Sequence, residues 1–189
     1  MKHAKIENGE ITEITTNLRA EFPNTSFPSG LPDTHEGWSK VTRTMISPPE
    51  GKKYQSTSIN LVDGVPTEVH AYVSFDDAEL LEHLSNYRFV KEEGGITIGG
   101  VQVQTDRTSR ADLIGARTLA KENNSFAVKW KTKSGSFVDL DAATIITLAD
   151  AVAAHVQKCF AAEATVIDSL DDYSTFAEVE AAFDTAYSA

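Results

Sequence analysis

One stretch of this sequence constrains the fold more than any other. From Ile145 on, a set of mostly apolar positions recurs alternately four and three residues apart: Ile145, Ala149, Val152, Val156, Cys159, Glu163, Val166 and Leu170. That spacing keeps all of them on one face of an α-helix, with Leu148, Phe160 and Ile167 beside them. Asp141 is a good N-cap, so a helix is expected from Asp141 to about Ser169. Such a stripe either docks on the core of its own domain or forms a homo-oligomeric seam. In a seam, the single charged member, Glu163, would fix the register at a cost in stability. Both readings stay open at this stage. The most apolar part, Ala142 to Val156, is broken by Asp150 and His155 and is too short to cross a bilayer.

The segments before this helix carry shorter signals. Ser74 and Asp77 suggest a capping box opening a helix whose face is Leu80, Leu81, Leu84 and Tyr87, ended by Gly94-Gly95. Ile96–Thr105 is a short strand segment interrupted by Gly99-Gly100. Ser109 and Asp112 offer a second capping box, with Leu113, Ala116 and Leu119 or Ala120 as the face. Phe126–Lys131 and Ser136–Leu140 should pair around Lys133-Ser134-Gly135, with Trp130 and Phe137 as ring anchors. After the long helix, Thr175 and Glu178 cap a last helix with Phe176, Val179, Phe183 and Tyr187 or Ala186 on one side.

The chain changes character near residue 75. All six prolines fall between Pro23 and Pro66, and apolar residues there alternate in short runs. Lys2–Glu7 and Glu10–Thr16 flank Asn8-Gly9, and Tyr54–Val62 and Pro66–Phe75 flank Asp63-Gly64. Both dipeptides tolerate the positive φ of a two-residue hairpin turn. Pro66 points to an edge position at the start of its strand. Trp38–Met45 reads as a further strand, and residues 19–37 as an irregular surface segment. The expected architecture is therefore α+β: a small antiparallel β-rich module over residues 1–75, then a mixed domain over 76–189 with a long helix and a β-hairpin.

Composition narrows the partners. The 189 residues carry a formal charge of −11, and from Cys159 onward there are seven acids and no lysine or arginine. An acidic surface repels phosphate, so neither nucleic acid nor an anionic membrane is expected as a partner. Residues 1–17 mix charge and apolar residues too finely for a signal peptide, so a soluble protein is expected. Asn24-Thr25-Ser26 fits a glycosylation pattern but reads as a loop.

Reactive groups are few. The single cysteine excludes a disulfide framework within the chain and a multi-cysteine metal site. His155 and Cys159 share a helical face, as a histidine-activated thiol or half of a zinc site would, but Cys159 lies on the apolar stripe and packs there as a small hydrophobe. Asp139 and Asp141, or Asp168, Asp171 and Asp172, offer oxygen ligands without the spacing of a calcium loop. The simpler readings are a helix cap and a solvated turn. Gly94 to Gly100 fits no phosphate-binding pattern, and no serine lies in Gly-x-Ser-x-Gly. His3, His35, His70 and His83 show no ligand spacing. Lys129, Lys131 and Lys133 alternate around Trp130, a pattern that fits a small basic-aromatic patch but more simply an exposed strand face or edge protection by lysine. No catalytic residue, cofactor or metal is assigned.

The order of short motifs adds a resemblance. Gly99-Gly100-Val101, Thr105-Asp106-Arg107 and Gly115-Ala116 come before Trp130-Lys131. Gly135-x-Phe137-Val138-x-Leu140-Asp141-Ala142 and His155-Val156-Gln157-x-Cys159-Phe160-Ala161-Ala162-Glu163 follow. From about Arg88 to Leu170 this series resembles a domain of unknown function found at the C-terminal end of tailed-bacteriophage proteins associated with tail fibres, baseplates and fibre assembly. Ala4-Lys5-Ile6-Glu7-Asn8-Gly9 with Gly37-Trp38 is similar to the small N-terminal modules of such proteins. The resemblance implies a non-enzymatic structural protein that attaches to or joins tail-fibre or baseplate subunits. Such a protein would sit in the virion tail after assembly and in the host cytoplasm before it; a homo-oligomer stays open on the helical stripe alone. The alternative it leaves is a fibre-assembly chaperone; the alternative of another class is a small hydrolase or metal-dependent enzyme built on His155 and Cys159 or the Asp168–Asp172 cluster. The last helix lies outside the matched part.

Overall fold

A computed structural model describes residues 1–132 and 135–189, and shows an α+β chain. Two compact units follow one another, Met1–Ser74 and Phe75–Ala189. The expected turn over Lys133 and Ser134 lies outside the described residues.

The first unit is built on hairpins. Strands β1 (His3–Glu7) and β2 (Glu10–Thr15) are joined by Asn8 and Gly9, whose φ angles of 53° and 82° are the left-handed values such a turn demands. A one-turn helix α1 (Leu18–Glu21) and the short strands β3 (Thr34–His35) and β4 (Trp38–Lys40) complete a four-stranded antiparallel sheet in the order β2-β1-β4-β3. Ala4, Leu18, Phe27, Trp38 and Val41 are buried with the His3 ring. Strands β5 (Lys52–Val62) and β6 (Val65–Ser74) form a separate two-stranded ribbon. The one sheet expected here is thus two.

Two further expectations change. The segment 19–37 is not wholly irregular, because it begins inside α1 and contains β3. The strand expected over Trp38–Met45 ends at Lys40. Thr42 leaves the sheet for the ribbon: its N–H donates to the Pro66 carbonyl at 2.8 Å and its carbonyl accepts from Glu68 at 2.9 Å. A backbone committed to one neighbour cannot continue the ladder with another.

The second unit is a helical assembly with two small hairpins. Helix α2 (Asp77–Glu93) is followed by β7 (Ile96–Ile98) and β8 (Val101–Val103), then α3 (Arg107–Glu122), β9 (Ala127–Lys131) and β10 (Phe137–Asp141). Helix α4 (Ala142–Ile167), a 3-10 turn (Leu170–Asp172) and α5 (Phe176–Ser188) complete it. The glycine pair Gly99-Gly100 reverses the chain rather than interrupting one strand. Gly95 is needed as glycine, since its φ is +84° and a Cβ there would stand 2.9 Å from the Val103 carbonyl oxygen.

The expected Thr175–Glu178 box opens α5, but the caps of α2 and α3 fall where carboxylates reach, and not where Ser74 and Ser109 had suggested. Asp76 accepts from the Glu79 N–H while Glu79 accepts from the Asp76 N–H, each at 3.0 Å. Asp106 accepts from the N–H groups of Thr108 and Ser109. At both sites an aspartate outcompetes a nearby serine because a charged acceptor makes the stronger hydrogen bond and meets the positive end of the helix dipole.

Helix α4 is the spine of this unit, about 39 Å long at 1.5 Å per residue. Its N-terminal half buries Ile145, Leu148, Ala149 and Val152 against Val103, Leu113, Ala120 and Leu140. Its C-terminal half buries Cys159, Ala162 and Val166 against Leu80 and Leu84 of α2 and Val179 and Phe183 of α5. Of the expected hairpin anchors, Trp130 packs on the first cluster, but Phe137 is 65% exposed. Alternation along β10 turns Val138 and Leu140 inward and leaves Phe137 outside; Phe126 supplies the second ring. The helix is also longer than its most apolar part. At 26 residues α4 is long and apolar enough to cross a membrane by length and composition alone, so the objection from shortness falls. Its Asp150, His155 and Glu163 are held instead by groups of the same unit.

Candidate functional site

The chemistry-bearing residues of the second unit converge around Glu92, in the last turn of α2. Glu92 is 4% exposed. Its two carboxylate oxygens are held by Arg88, one helical turn back, and by Arg110 from α3. Arg88 also donates from Nε to Glu163 on α4 at 3.1 Å, and its guanidinium stands 4.5 Å from the centre of the Phe160 ring. The polar member of the α4 stripe therefore meets an arginine of its own unit. Arg110 approaches Glu93 at 3.8 Å. Two guanidinium groups and three carboxylates thus share a small volume, and the planar forks of arginine suit such shared pairing.

The backbone carbonyl of Glu92 is the second centre. It accepts from the buried Thr105 hydroxyl at 2.5 Å and from His155 Nε2 at 3.2 Å, while Thr105 accepts from the Gly95 N–H at 2.9 Å. A carbonyl can only accept, so Nε2 of His155 carries a proton, and in the neutral imidazole Nδ1 is then the acceptor of the ring. Nδ1 is occupied by the Tyr187 hydroxyl of α5 at 2.7 Å.

That assignment decides what Cys159 can do. Its sulfur lies 3.9 Å from both ring nitrogens. A base must offer a lone pair, and His155 has given its only one to Tyr187. Burial, then the nearby Glu92 charge, pushes the Cys159 thiol up, which holds it in the protonated, unreactive form. Burial raises the Tyr187 phenol as well. Each polar group in this cluster is satisfied by another, and the cluster ties α2, α3, α4 and α5 together.

The remaining candidates disperse. Asp141 accepts from the Thr144 N–H at 2.8 Å as the α4 cap, and Asp139 pairs with Lys129 at 2.8 Å. Asp168, Asp171 and Asp172 are exposed around the 3-10 turn. Among the described residues, no group of three or more His, Cys, Asp or Glu side chains could hold a metal ion. His83 stacks on Phe176 with ring centres 4.1 Å apart and bonds Glu180 at 2.7 Å, docking α5. Asp184 adds to this joint, bonded by Tyr87 and by Lys91, each at 2.9 Å. In the first unit His35 lies between the Phe22 and Phe27 rings, and His70 sits between Thr44 and Thr57 at 2.8 and 2.7 Å. His3 bonds the Pro32 carbonyl.

Sequence reasoning singled out His155, Cys159 and Glu163 but missed Glu92, Arg110 and Thr105. The Arg88-Glu92 spacing of one turn was visible as an i,i+4 pair. Nothing local marks Arg110 or Thr105 as its neighbours.

A family described as Domain of unknown function (DUF4376) matches residues 76–187, and the chain belongs to it. The match takes in nearly all of the second unit, including α5, which the motif series had left out. No curated protein and no solved structure matches the chain.

Proposed function

We propose that this chain is a non-enzymatic structural protein of a bacteriophage tail, which attaches to or joins fibre or baseplate subunits. The observation that carries the reading is the ordered motif series from Gly99 to Glu163, with its resemblance to tail-associated domains. The internal occupation of His155, Cys159 and Glu92 supports it, because the groups best suited to chemistry serve instead to hold helices together. The mechanism is docking by preformed surfaces, with an acidic exterior keeping the free subunit in solution. Mass spectrometry of purified particles tests the proposal: stoichiometric presence is expected, and clean absence rejects a virion role.

A fibre-assembly chaperone is the second reading. It is favoured by the edge of β9 that faces away from β10, the kind of surface an assembly factor lends to an unfinished partner. Co-expression with the fibre gene separates the two. A fibre that becomes soluble only with this chain, yet leaves it behind on assembly, points to the chaperone.

A further inference from the structure

Three features of the second unit meet at one place. The first is an open strand edge. Among the described residues, strand β9 pairs only with β10, in the register Val128↔Leu140, Lys129↔Asp139, Trp130↔Val138 and Lys131↔Phe137. The Thr132 N–H donates to the Ser136 carbonyl at 2.8 Å. In an antiparallel pair, backbone groups point alternately toward and away from the partner, so Trp130 and Val128 face β10 while the N–H and C=O of Lys129 and Lys131 face away from it. Among the described residues, no backbone partner is recorded for these outward groups.

The second feature is the space beside that edge. A cleft of about 900 Å3 is lined by Val128, Lys129, Trp130 and Lys131 in unbroken succession, and on its other wall by α3. A cleft over the face of the hairpin would touch every second residue and include β10. Consecutive residues from β9 and none from β10 place it along the free edge.

The third is Gly115, in the middle of α3 and on the wall of this cleft. Glycine within a helix is destabilising relative to alanine. Among the described residues nothing accounts for it: its φ is not positive, and a Cβ built there meets none of their atoms within 4 Å. A small residue facing empty space beside an unpaired edge keeps room for an incoming backbone.

We infer that the slot between β9 and α3 receives an extended segment of a partner polypeptide, which adds to β9 as an outer strand. The chemistry of the segment follows from the register. Residues facing the side of Val128 and Trp130 would be apolar. Those beside Lys129 and Lys131, on the exposed face, would be acidic; among the described residues Lys131 has no ion-pair partner, whereas Lys129 is shared with Asp139. This inference does not need the tail reading and would stand without it.

A synthetic nine-residue peptide alternating valine and glutamate is the probe, titrated into the full chain. Amide exchange is followed by NMR. The Lys129 and Lys131 N–H groups should exchange freely in the unliganded chain and become protected by the peptide, with Trp130 little changed. Gly115→Leu places a helix-favouring residue in α3 and fills the slot. It should raise the melting temperature while weakening the peptide at least about tenfold, a loss of roughly 1.4 kcal/mol. Protection absent at saturating peptide, or binding undiminished in the Gly115→Leu chain, would overturn the inference. A chain that is dimeric by light scattering with both amides already protected would place a second copy in the slot and also reject a foreign segment.

Discussion

Glu92 concentrates the energetics of the second unit in one side chain. Its carboxylate offsets two guanidinium groups that are themselves mostly buried, so neutralising it leaves both without their main partner. Glu92→Gln keeps the shape and removes the charge. It should cost about 3 kcal/mol in urea unfolding, the lower end for breaking a buried pair because the arginines keep some access to water. Asp139→Asn breaks an ion pair whose two side chains are each more than 70% exposed, and should change stability by no more than about 0.5 kcal/mol. Equal costs would contradict the burial argument. Cys159 supplies a second residue-scale expectation. With the thiol buried and its pKa raised, iodoacetamide at neutral pH should label the folded chain roughly a hundredfold more slowly than the urea-unfolded one. Labelling at the unfolded rate would revive the nucleophile that the His155 geometry argues against.

At the scale of elements, helix ends respond together to acid. The Asp106 carboxyl is held low chiefly by the Ser109 hydroxyl, Asp141 by Thr144 and Glu178 by the Ser174 N–H; the Lys91 ammonium does the same for Asp184. A carboxyl whose folded pKa is depressed adds stability above its unfolded value of about 4 and loses it as the pH falls through the lower folded value. Melting temperature should therefore change little for these groups between pH 7 and pH 5 and decline below about pH 4. A decline complete by pH 5 would exclude them as its cause. Elements also show where sequence is informative. The α4 stripe was legible because a 3.6-residue period survives any tertiary setting, and both hairpin turns of the first unit because Asn-Gly and Asp-Gly suit positive φ. The Asp141 cap and the Thr175–Glu178 box were legible to the residue, whereas the α2 cap was legible only to within a few, since Ser74 and Asp76 both satisfy the pattern and three-dimensional reach chooses between them. Phe137 was misjudged because alternation identifies two faces without saying which one is covered. The Glu92 cluster was not legible, because Arg110 and Glu163 lie 18 and 71 residues from Glu92 and no local period links them.

At the scale of the whole molecule, the same α4 stripe decides how the chain would respond to a broken core. Val152 is 4% exposed and sits among Leu113, Leu148 and Ala149 of its own unit. A stripe serving as an intersubunit seam would let Val152→Asp yield a folded monomer. A stripe filled from within predicts that the second unit unfolds, since a buried unpaired carboxylate has no compensating group in that cluster. The two tryptophans report the outcome separately. Trp38 is buried in the Met1–Ser74 unit, and Trp130 packs on the cluster that contains Val152. In a Trp38→Phe background, Val152→Asp should move the Trp130 emission to the red and abolish much of the helical circular dichroism. In a Trp130→Phe background, the same change should leave the Trp38 emission where it was, because the first unit holds its own buried set. A folded monomer with an unshifted Trp130 would restore the seam. A Trp38 that moves with Trp130 would mean that the hairpin unit depends on the helical one for its fold, despite having a core of its own.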